Sequence, residues 1–236
     1  MEPTLVRAPR AVLFDAYGTL FDVYSIGAAA ERMFPGHGER LAVLWRDKQI
    51  EYTRLTSMSG QPRSFRDCTR AGLRYAARRF GLPLDDSAER ELMGGYERLA
   101  LFAENRAVLV ELQRRGVRAG ILSNGDPDML DAVVRNADLT GLVDPVLSVE
   151  GTGRFKTDPA TYALGTRALG LDPADVLFVS SNCWDAIGAT WFGYTTLWIN
   201  RFGLPLDELG ARPTRTGTQL TDVLNFFASA SERSSP

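Results

Sequence analysis

Residues 12–21 read VLFDAYGTLF, and this stretch decides the fold. Its first three residues favour a buried β-strand, because such side chains pack well on a pleated surface. The strand pattern ends on the carboxylate of Asp15, and Gly18 follows it in a predicted turn. Ligands of an open parallel sheet gather at the carboxyl ends of its strands. Asp15 is therefore a candidate turn residue, metal ligand or nucleophile.

From residue 101 onward, helical and strand patterns alternate along the chain. Strands are predicted at VRAGILS (117–123), PVLSV (145–149), VLFVS (176–180) and TTLWIN (195–200). Helices are predicted over 102–115, from 127, over 158–170, over 185–192 and over 220–227. This alternation predicts an α/β fold with a Rossmann-like, doubly wound parallel sheet.

About a hundred residues between the first two strands carry no strand pattern. Their periodicity predicts helices over 25–33, 39–57, 65–80 and 87–99. A direct crossover between parallel strands needs far less chain. The segment is therefore predicted to be an inserted helical-bundle cap over residues 21–100, with a core formed by residues 1–20 and 101–236.

The helix predicted near residues 41–55 has two distinct faces. One is an apolar stripe suited to packing within a bundle, formed by Leu41, Leu44, Trp45, Tyr52 and Leu55. The opposite face carries Arg46, Ile50 and Thr53. A lone arginine on such a face is ordinarily solvent-exposed. Arg46 is a site candidate only if other residues point to an anionic ligand.

The composition excludes several classes of protein. The chain has 236 residues, of which 44% are hydrophobic, and its formal net charge of -2 comes without a long block of either sign. Neither a nucleic-acid partner nor a membrane surface is expected. The two cysteines lie far apart, and the N-terminal sequence MEPTLVRAPR has no long apolar run, so a cytoplasmic protein with reduced thiols is predicted. The polar tail SASERSSP is predicted to be frayed.

A single histidine limits the available chemistry. His37 lies in the glycine-rich turn FPGHGER, which leaves no histidine for a Ser-His-Asp triad unless His37 itself is the base. A histidine-rich zinc site is equally implausible.

Every predicted core strand up to residue 180 is followed by polar side chains. Asp15 and Thr19 follow the first strand, and Ser123 and Asn124 follow the second. Lys156 comes after the third, and the fourth leads into SSNCWD (180–185). Any one of these could be a helix cap or a turn residue. Together they predict a polar site at one edge of the sheet.

Four motifs carry a resemblance to a known family. FDAYGTLFD (14–22), LSNGD (122–126), KTDPATY (156–162) and SSNCWD (180–185) resemble the haloacid dehalogenase superfamily. More narrowly, they are similar to its L-2-haloacid dehalogenase branch, over residues 12–201. The resemblance implies hydrolysis of short L-2-haloalkanoic acids to D-2-hydroxy acids.

Two positions separate this branch from the phosphatases of the superfamily. Those phosphatases have a second aspartate two residues after the nucleophile, where this chain has Tyr17. They also have an acidic pair near the fourth strand, where this chain offers only Asp185 as a carboxylate. Asp15 and Asp185 with a lysine nearby are a poor ligand set for Mg²⁺. A site without metal or cofactor is predicted. A Mg²⁺-dependent phosphohydrolase and a non-catalytic binding protein remain alternatives.

Displacing a halide from carbon needs an in-line nucleophile and a donor for the departing anion. Asp15 can attack without first losing a proton and would form an ester with the substrate. The resemblance assigns the departing halide to Arg46, with Asn124 assisting. Lys156 would offset the charge of Asp15. The substrate carboxylate would be held by Ser123 and by backbone amides, among them that of Ala16.

The ester must then be hydrolysed by a positioned water molecule. The resemblance implies that Asp185 draws the proton, within a polar shell formed by Thr19, Lys156, Tyr162, Ser180 and Asn182. A desolvated Lys156 is an alternative base. The apolar walls of the pocket are predicted to be Tyr17, Ile50, Phe65 and Trp184, although ordinary core packing explains these types equally well. Relatives are often homodimers, and the apolar stripes of the cap would suit that or a packed bundle.

Overall fold

Strand β1 (Ala11–Phe14) lies near the centre of a six-stranded parallel sheet. The computed structural model describes residues 8–227. The other strands are β2 (Arg118–Ser123), β3 (Val146–Ser148), β4 (Val176–Ser180), β5 (Thr195–Ile199) and β6 (Arg215–Gly217). Their spatial order is β3-β2-β1-β4-β5-β6, which confirms the predicted sheet. The predictions about the N-terminal residues 1–7 and the frayed tail 229–236 concern residues outside the described part.

The strand order reverses between β1 and β4. The chain first builds outward from β1 through β2 to β3, and then continues on the other side through β4, β5 and β6. Phe14 pairs with Val179, so Asp15 and Ser180 follow at the same edge of the sheet. Such a reversal is where ligands bind in open α/β sheets.

Helices cover both faces of the sheet. They are α5 (Asn105–Arg114), α6 (Pro127–Asn136), α7 (Pro159–Leu169) and α8 (Cys183–Phe192). The helix predicted from residue 102 starts at Asn105. The helix predicted over 220–227 is instead a 3-10 helix, Leu220–Phe226. It begins with a capping box between Gln219 and Asp222. The sequence prediction missed β6, a strand of three residues with no apolar pattern.

Four α-helices occupy residues 21–100, the segment predicted to be the cap, ahead of α5. They are α1 (Gly27–Met33), α2 (Gly38–Ser59), α3 (Phe65–Arg79) and α4 (Asp86–Gly95), and a 3-10 helix over Val23–Ile26 precedes them. Helix α2 ends at Gly60, whose φ of +66° is a left-handed conformation that glycine adopts without strain. Ser64 caps α3 by accepting a hydrogen bond from the backbone N–H of Asp67 at 3.0 Å.

Helices α2 and α3 pack against each other closely. A Cβ atom at Gly72 would lie 3.0 Å from the carbonyl oxygen of Trp45, and the Trp45 indole donates to the carbonyl of Thr69 at 2.7 Å. Leu41 and Trp45 are fully buried, as the predicted apolar stripe requires. Leu55 was predicted to share that packing, but it is 51% exposed and borders an outer cavity of about 460 Å³.

The segments that enter and leave these helices run side by side. The backbone N–H of Asp22 donates to the carbonyl of Ala100 at 2.8 Å, and Phe21 and Leu101 form an isolated bridge. These pairs lie at the predicted boundaries, while the division into two domains remains a prediction. Within residues 8–227, no helix combines the length and the apolar character needed to cross a bilayer.

Candidate active site

The turn after β1 fixes the position of Asp15. Its backbone N–H donates to the carbonyl of Val179 at 2.9 Å, which extends the pairing of β1 with β4 by one residue. Gly18 follows with a φ of +97°, and its N–H donates to the carbonyl of Phe21. A side chain at Gly18 would be strained at this φ and would approach Asn182 at 3.6 Å. The glycine therefore allows Asn182 and Arg46 to pack against this turn.

Both oxygens of the Asp15 carboxylate are held by hydrogen bonds. Oδ1 accepts from Lys156 Nζ at 3.1 Å. Oδ2 accepts from Thr19 Oγ1 at 3.0 Å and from Asn182 Nδ2 at 2.9 Å. Thr19 Oγ1 in turn accepts from the backbone N–H of Ser181 at 2.8 Å. These contacts fix the carboxylate plane and leave it acceptor capacity, since a carboxylate has about four lone-pair positions.

Lys156 lies between two buried carboxylates. Its Nζ is 3.1 Å from Asp15 Oδ1 and 3.0 Å from Asp185 Oδ2, and only 2% of the residue is exposed. The backbone N–H of Lys156 donates to Asn124 Oδ1 at 3.0 Å, which ties the loop to the end of β2. The peptide bond that follows Lys156 is cis. One cation thus serves two anions at the strand reversal.

Asp185 is completely buried in the first turn of α8. Besides Lys156, it accepts a hydrogen bond from the hydroxyl of Tyr162 at 2.8 Å. Burial raises the pKa of the Asp185 carboxyl, the nearby charge of Asp15 raises it further, and the Lys156 ammonium opposes both. Burial also raises the pKa of Tyr162 well above its ordinary value, so the phenol keeps its proton and donates.

Arg46 reaches the same site from helix α2. Its guanidinium donates from Nη2 to the carbonyl oxygen of Tyr17 at 2.9 Å and, more weakly, to Asn182 Oδ1 at 3.4 Å. Nη1 donates to Gln49 Oε1 at 2.6 Å. Arg46 is only 6% exposed, so it belongs to the site and not to a solvent face. Asn182 contacts both Arg46 and Asp15.

These side chains enclose a small cavity of about 10 Å³. Nine residues predicted for the site line it, namely Asp15, Tyr17, Arg46, Ile50, Phe65, Ser123, Asn124, Asn182 and Trp184. The predicted residues Thr19, Lys156, Tyr162 and Asp185 lie behind Asp15 in one connected hydrogen-bond network.

The backbone around the cavity is shaped by Ser123 and by the two remaining predicted residues, Ser180 and Ala16. Ser180 Oγ accepts from the backbone N–H of Asn182 at 3.1 Å, and Ser123 Oγ accepts from that of Gly125 at 3.1 Å. Ala16 is fully buried, and its carbonyl accepts the N–H of Leu20 at 3.0 Å within the turn. The binding role predicted for the Ala16 amide remains a prediction.

Two residues near the site were not among the predicted site residues. Thr53 lines the cavity, and Gln49 contacts Arg46. The signal for Thr53 was present, because it shares the helix face of Arg46 and Ile50. Gln49 is three residues after Arg46, but a glutamine in a helix ordinarily faces solvent.

A buried carboxylate, a lysine and a second carboxylate, gathered where a parallel sheet reverses its strand order, define an α/β enzyme. Residues 9–193 match the family model described as haloacid dehalogenase-like hydrolase. The chain belongs to this family, as its motifs predicted.

Within this family, the chain is similar to three proteins named as 2-haloacid dehalogenases. The chain is 44% identical to the (S)-2-haloacid dehalogenase of Pseudomonas sp. (strain YL), over 94% of this chain and 95% of that protein. A solved L-2-haloacid dehalogenase superposes with a TM-score of 0.92 at 52% identity, covering 94% of this chain and 100% of the other. The L-2-haloacid dehalogenase of Xanthobacter autotrophicus, solved with chloropropionic acid covalently bound, gives 0.87 at 37% identity, over 92% and 97% of the two chains.

The Mg²⁺ used by phosphatases of this superfamily does not fit the residues present. No cluster of three or more His, Cys, Asp or Glu side chains suited to a metal occurs in the described chain. The ammonium of Lys156 contacts both Asp15 and Asp185, the two carboxylates that would have to hold the ion. A hard divalent cation beside that ammonium would be repelled.

Proposed function

We propose that this protein hydrolyses short L-2-haloalkanoic acids to D-2-hydroxy acids through an ester on Asp15, without a metal ion. One observation carries the proposal: two buried cations of the site have different partners. Lys156 is engaged by carboxylates, whereas Arg46 contacts only neutral oxygens. Lys156 therefore serves the nucleophile, and Arg46 keeps its charge for a departing anion.

In the first step, an Asp15 carboxylate oxygen attacks the Cα of the substrate from the side opposite the halogen. The new C–O bond forms as the carbon–halogen bond breaks, and the electron pair leaves with the halide. Arg46 receives the halide, with Asn124 beside it in the same cavity. Preorganised donors at the developing charge are the strongest contribution such a site can make.

The substrate carboxylate has to lie near Asp15, although the two charges repel. Ser123 and the backbone amides of Ala16 and Asn124 hold it without adding a full positive charge. Tyr17, Ile50, Phe65 and Trp184 surround the short alkyl group. The cavity of about 10 Å³ is too small for a haloacid, so substrate enters only when the helical segment over residues 21–100, which we propose to be a cap domain, moves away from the sheet.

In the second step, water attacks the carbonyl carbon of the Asp15 ester and the product alcohol leaves. Asp185 accepts the proton of this water, and the proton passes to the product oxygen. Its raised pKa makes Asp185 a stronger base than an exposed aspartate. Lys156 donates to two carboxylates, which favours Asp185 over Lys156 as the proton acceptor. Cα is inverted once, so an L-haloacid gives a D-hydroxy acid.

The proposal extends to the state of the protein in the cell. We place it in the cytoplasm as a homodimer that does not bind nucleic acid. Leu55, Met58 and Tyr75 support a dimer, because these large apolar side chains are 51%, 82% and 41% exposed on α2 and α3. Sedimentation equilibrium measures the mass directly. A single species at the monomer mass of 26.0 kDa would refute the dimer.

Halide release tests the reaction itself. The protein is incubated with L- and D-2-chloropropionate, each with and without EDTA, and in parallel with a phosphate monoester and Mg²⁺. We expect chloride from the L-enantiomer only, at the same rate with EDTA, and no phosphate. Phosphate release that EDTA abolishes, or no turnover of any substrate, would overturn the proposal.

A further inference from the structure

Gln49 is a fully buried polar residue outside the set that touches substrate in the proposed reaction. We infer that Gln49 is a positioning residue, which aims the Arg46 guanidinium at the departing halide without neutralising it. The inference rests on the proposed function, since it specifies how the halide site works. Two features of the structure carry it: the direction of the hydrogen bonds around Gln49, and the absence of charge on that side chain.

The hydrogen bonds fix which end of the Gln49 amide faces Arg46. Thr69 Oγ1 donates its single hydrogen to the carbonyl of Phe65 at 2.7 Å. It must therefore accept in its contact with Gln49 Nε2 at 2.5 Å. With its nitrogen engaged by Thr69, Gln49 presents its oxygen to Arg46 Nη1 at 2.6 Å.

The hydrogen bonds from Thr69 through Gln49 to Arg46 limit the rotation of the guanidinium. Gln49 holds Nη1, and the carbonyl of Tyr17 holds Nη2 at 2.9 Å. Two strong contacts on different nitrogens set the plane of the group. Nη2 also makes a weak contact with Asn182 Oδ1 at 3.4 Å, and the other N–H donors of the five on an arginine are left for a ligand. A halide bound there therefore meets donors that are already oriented.

The neutrality of Gln49 matters as much as its position. Buried arginines usually pair with a carboxylate. Among residues 8–227, however, no carboxylate oxygen lies within 4.0 Å of the Arg46 guanidinium, and the ion pairs of the site all belong to Lys156. Asp47, the adjacent acidic residue, is exposed. A neutral acceptor therefore orients Arg46 while preserving its attraction for an anion.

Replacing Gln49 by glutamate tests whether the side chain that orients Arg46 has to be neutral. Gln49→Glu keeps the size and the acceptor that faces Arg46, loses the donor to Thr69 Oγ1, and adds a negative charge against Arg46. We expect kcat for L-2-chloropropionate to fall about 100-fold, as for loss of an anion-stabilising donor, while KM changes little. Inhibition by added chloride should weaken by about tenfold or more. Hydrolysis of the preformed ester should keep its wild-type rate, because that step does not use Arg46.

A second substitution, Gln49→Met, distinguishes the positioning role from a purely structural one. Gln49→Met removes the hydrogen bonds to Arg46 and Thr69 without adding charge, so it should lower the unfolding temperature yet impair chloride inhibition less than Gln49→Glu does. If Gln49 matters only for packing, activity and stability will instead fall in parallel in the two variants. Gln113→Glu is the matched control, since Gln113 is exposed on α5 and only donates to the carbonyl of Gly141. It should behave as wild type.

A chloride titration followed by thermal unfolding keeps this inference separable from the proposed function. Chloride should raise the unfolding temperature of the wild type and of Gln113→Glu, and have a much smaller effect on Gln49→Glu. If the wild type shows this effect but releases no halide from haloacids, Gln49 still orients Arg46 towards a bound anion, and it is the proposed reaction that fails. Equal chloride responses in wild type and Gln49→Glu would overturn the inference.

Discussion

Among residues 8–227, Lys156 is the only cation in contact with the two buried carboxylates of the site, and replacing it by methionine removes that charge. Methionine keeps most of the apolar stem and removes the ammonium, which also lies 4.8 Å from the centroid of the Phe178 ring. Asp15 and Asp185 would then face each other without the ammonium that now lies 3.1 and 3.0 Å from their oxygens. The change therefore tests the charge of the cluster more than its packing.

The magnitude follows from the burial of all three groups. Removing one partner of a buried ion pair typically costs about 3–5 kcal/mol. In a chain of this size each kcal/mol shifts the unfolding temperature by about 2–4 °C. We therefore expect Lys156→Met to unfold roughly 6–20 °C below the wild type at about pH 8.

The loss of unfolding temperature in Lys156→Met should become smaller as pH falls. Without Lys156, the pKa of Asp185, already raised by burial, rises further because the ammonium no longer opposes the effects of burial and of the Asp15 charge. A carboxyl whose pKa is higher in the folded than in the unfolded state stabilises the fold below its unfolded pKa, and this stabilisation is lost as pH rises through the folded value. The deficit of the variant should accordingly shrink towards about pH 5.

Thermal unfolding of both proteins across this pH range measures the effect. Lys48→Met is the control, because Lys48 is the other lysine of the chain and forms a surface pair with Glu51. Such an exposed pair contributes little to stability, because solvent screens it. Equal unfolding temperatures for Lys156→Met and wild type at pH 8, or a deficit that grows as pH falls, would refute the reasoning.

Two further substitutions divide the reaction into its steps. Asp185→Asn removes the proposed base but leaves Asp15 its contacts with Thr19 and Asn182, so it should release one halide per active site in a burst and then turn over about 10²–10⁴-fold more slowly. Quenched-flow halide detection checks this, and multiple rapid turnovers would contradict it. Asp15→Asn should abolish turnover, measured by chloride release, while unfolding within a few degrees of wild type, because Lys156 keeps its ion pair with Asp185. Residual activity near the wild-type level would exclude Asp15 as nucleophile.

Much of the site could be predicted because a parallel sheet brings the carboxyl ends of its strands together. Asp15, Ser123 and Ser180 end or follow three adjacent strands, so polar residues far apart in sequence had to meet. The motif resemblance then selected Arg46 and Lys156 from many charged residues. The structure brings these groups together, and the chemical role of each remains a prediction.

Features that depend on tertiary contacts could not be predicted in this way. Gln49 looks like a solvent-facing residue until α3 supplies Thr69 as its partner. Strand β6 is exposed and has no apolar run, so it forms only because β5 offers an edge with which to pair. Leu55 continues an apolar periodicity, yet nothing covers it among the described residues. Sequence periodicity indicates which face of a helix is apolar, but it does not indicate what lies opposite.

A single turnover in ¹⁸O-water tests the central claim most directly. Enzyme in excess over L-2-chloropropionate is allowed to react once, and both the product and the peptide containing Asp15 are analysed by mass spectrometry. If the carboxylate attacks carbon and water then attacks the ester, the first product molecule carries unlabelled oxygen and Asp15 acquires one ¹⁸O. Label in the first product with an unlabelled Asp15 would mean that water displaces the halide directly, and the account would be wrong.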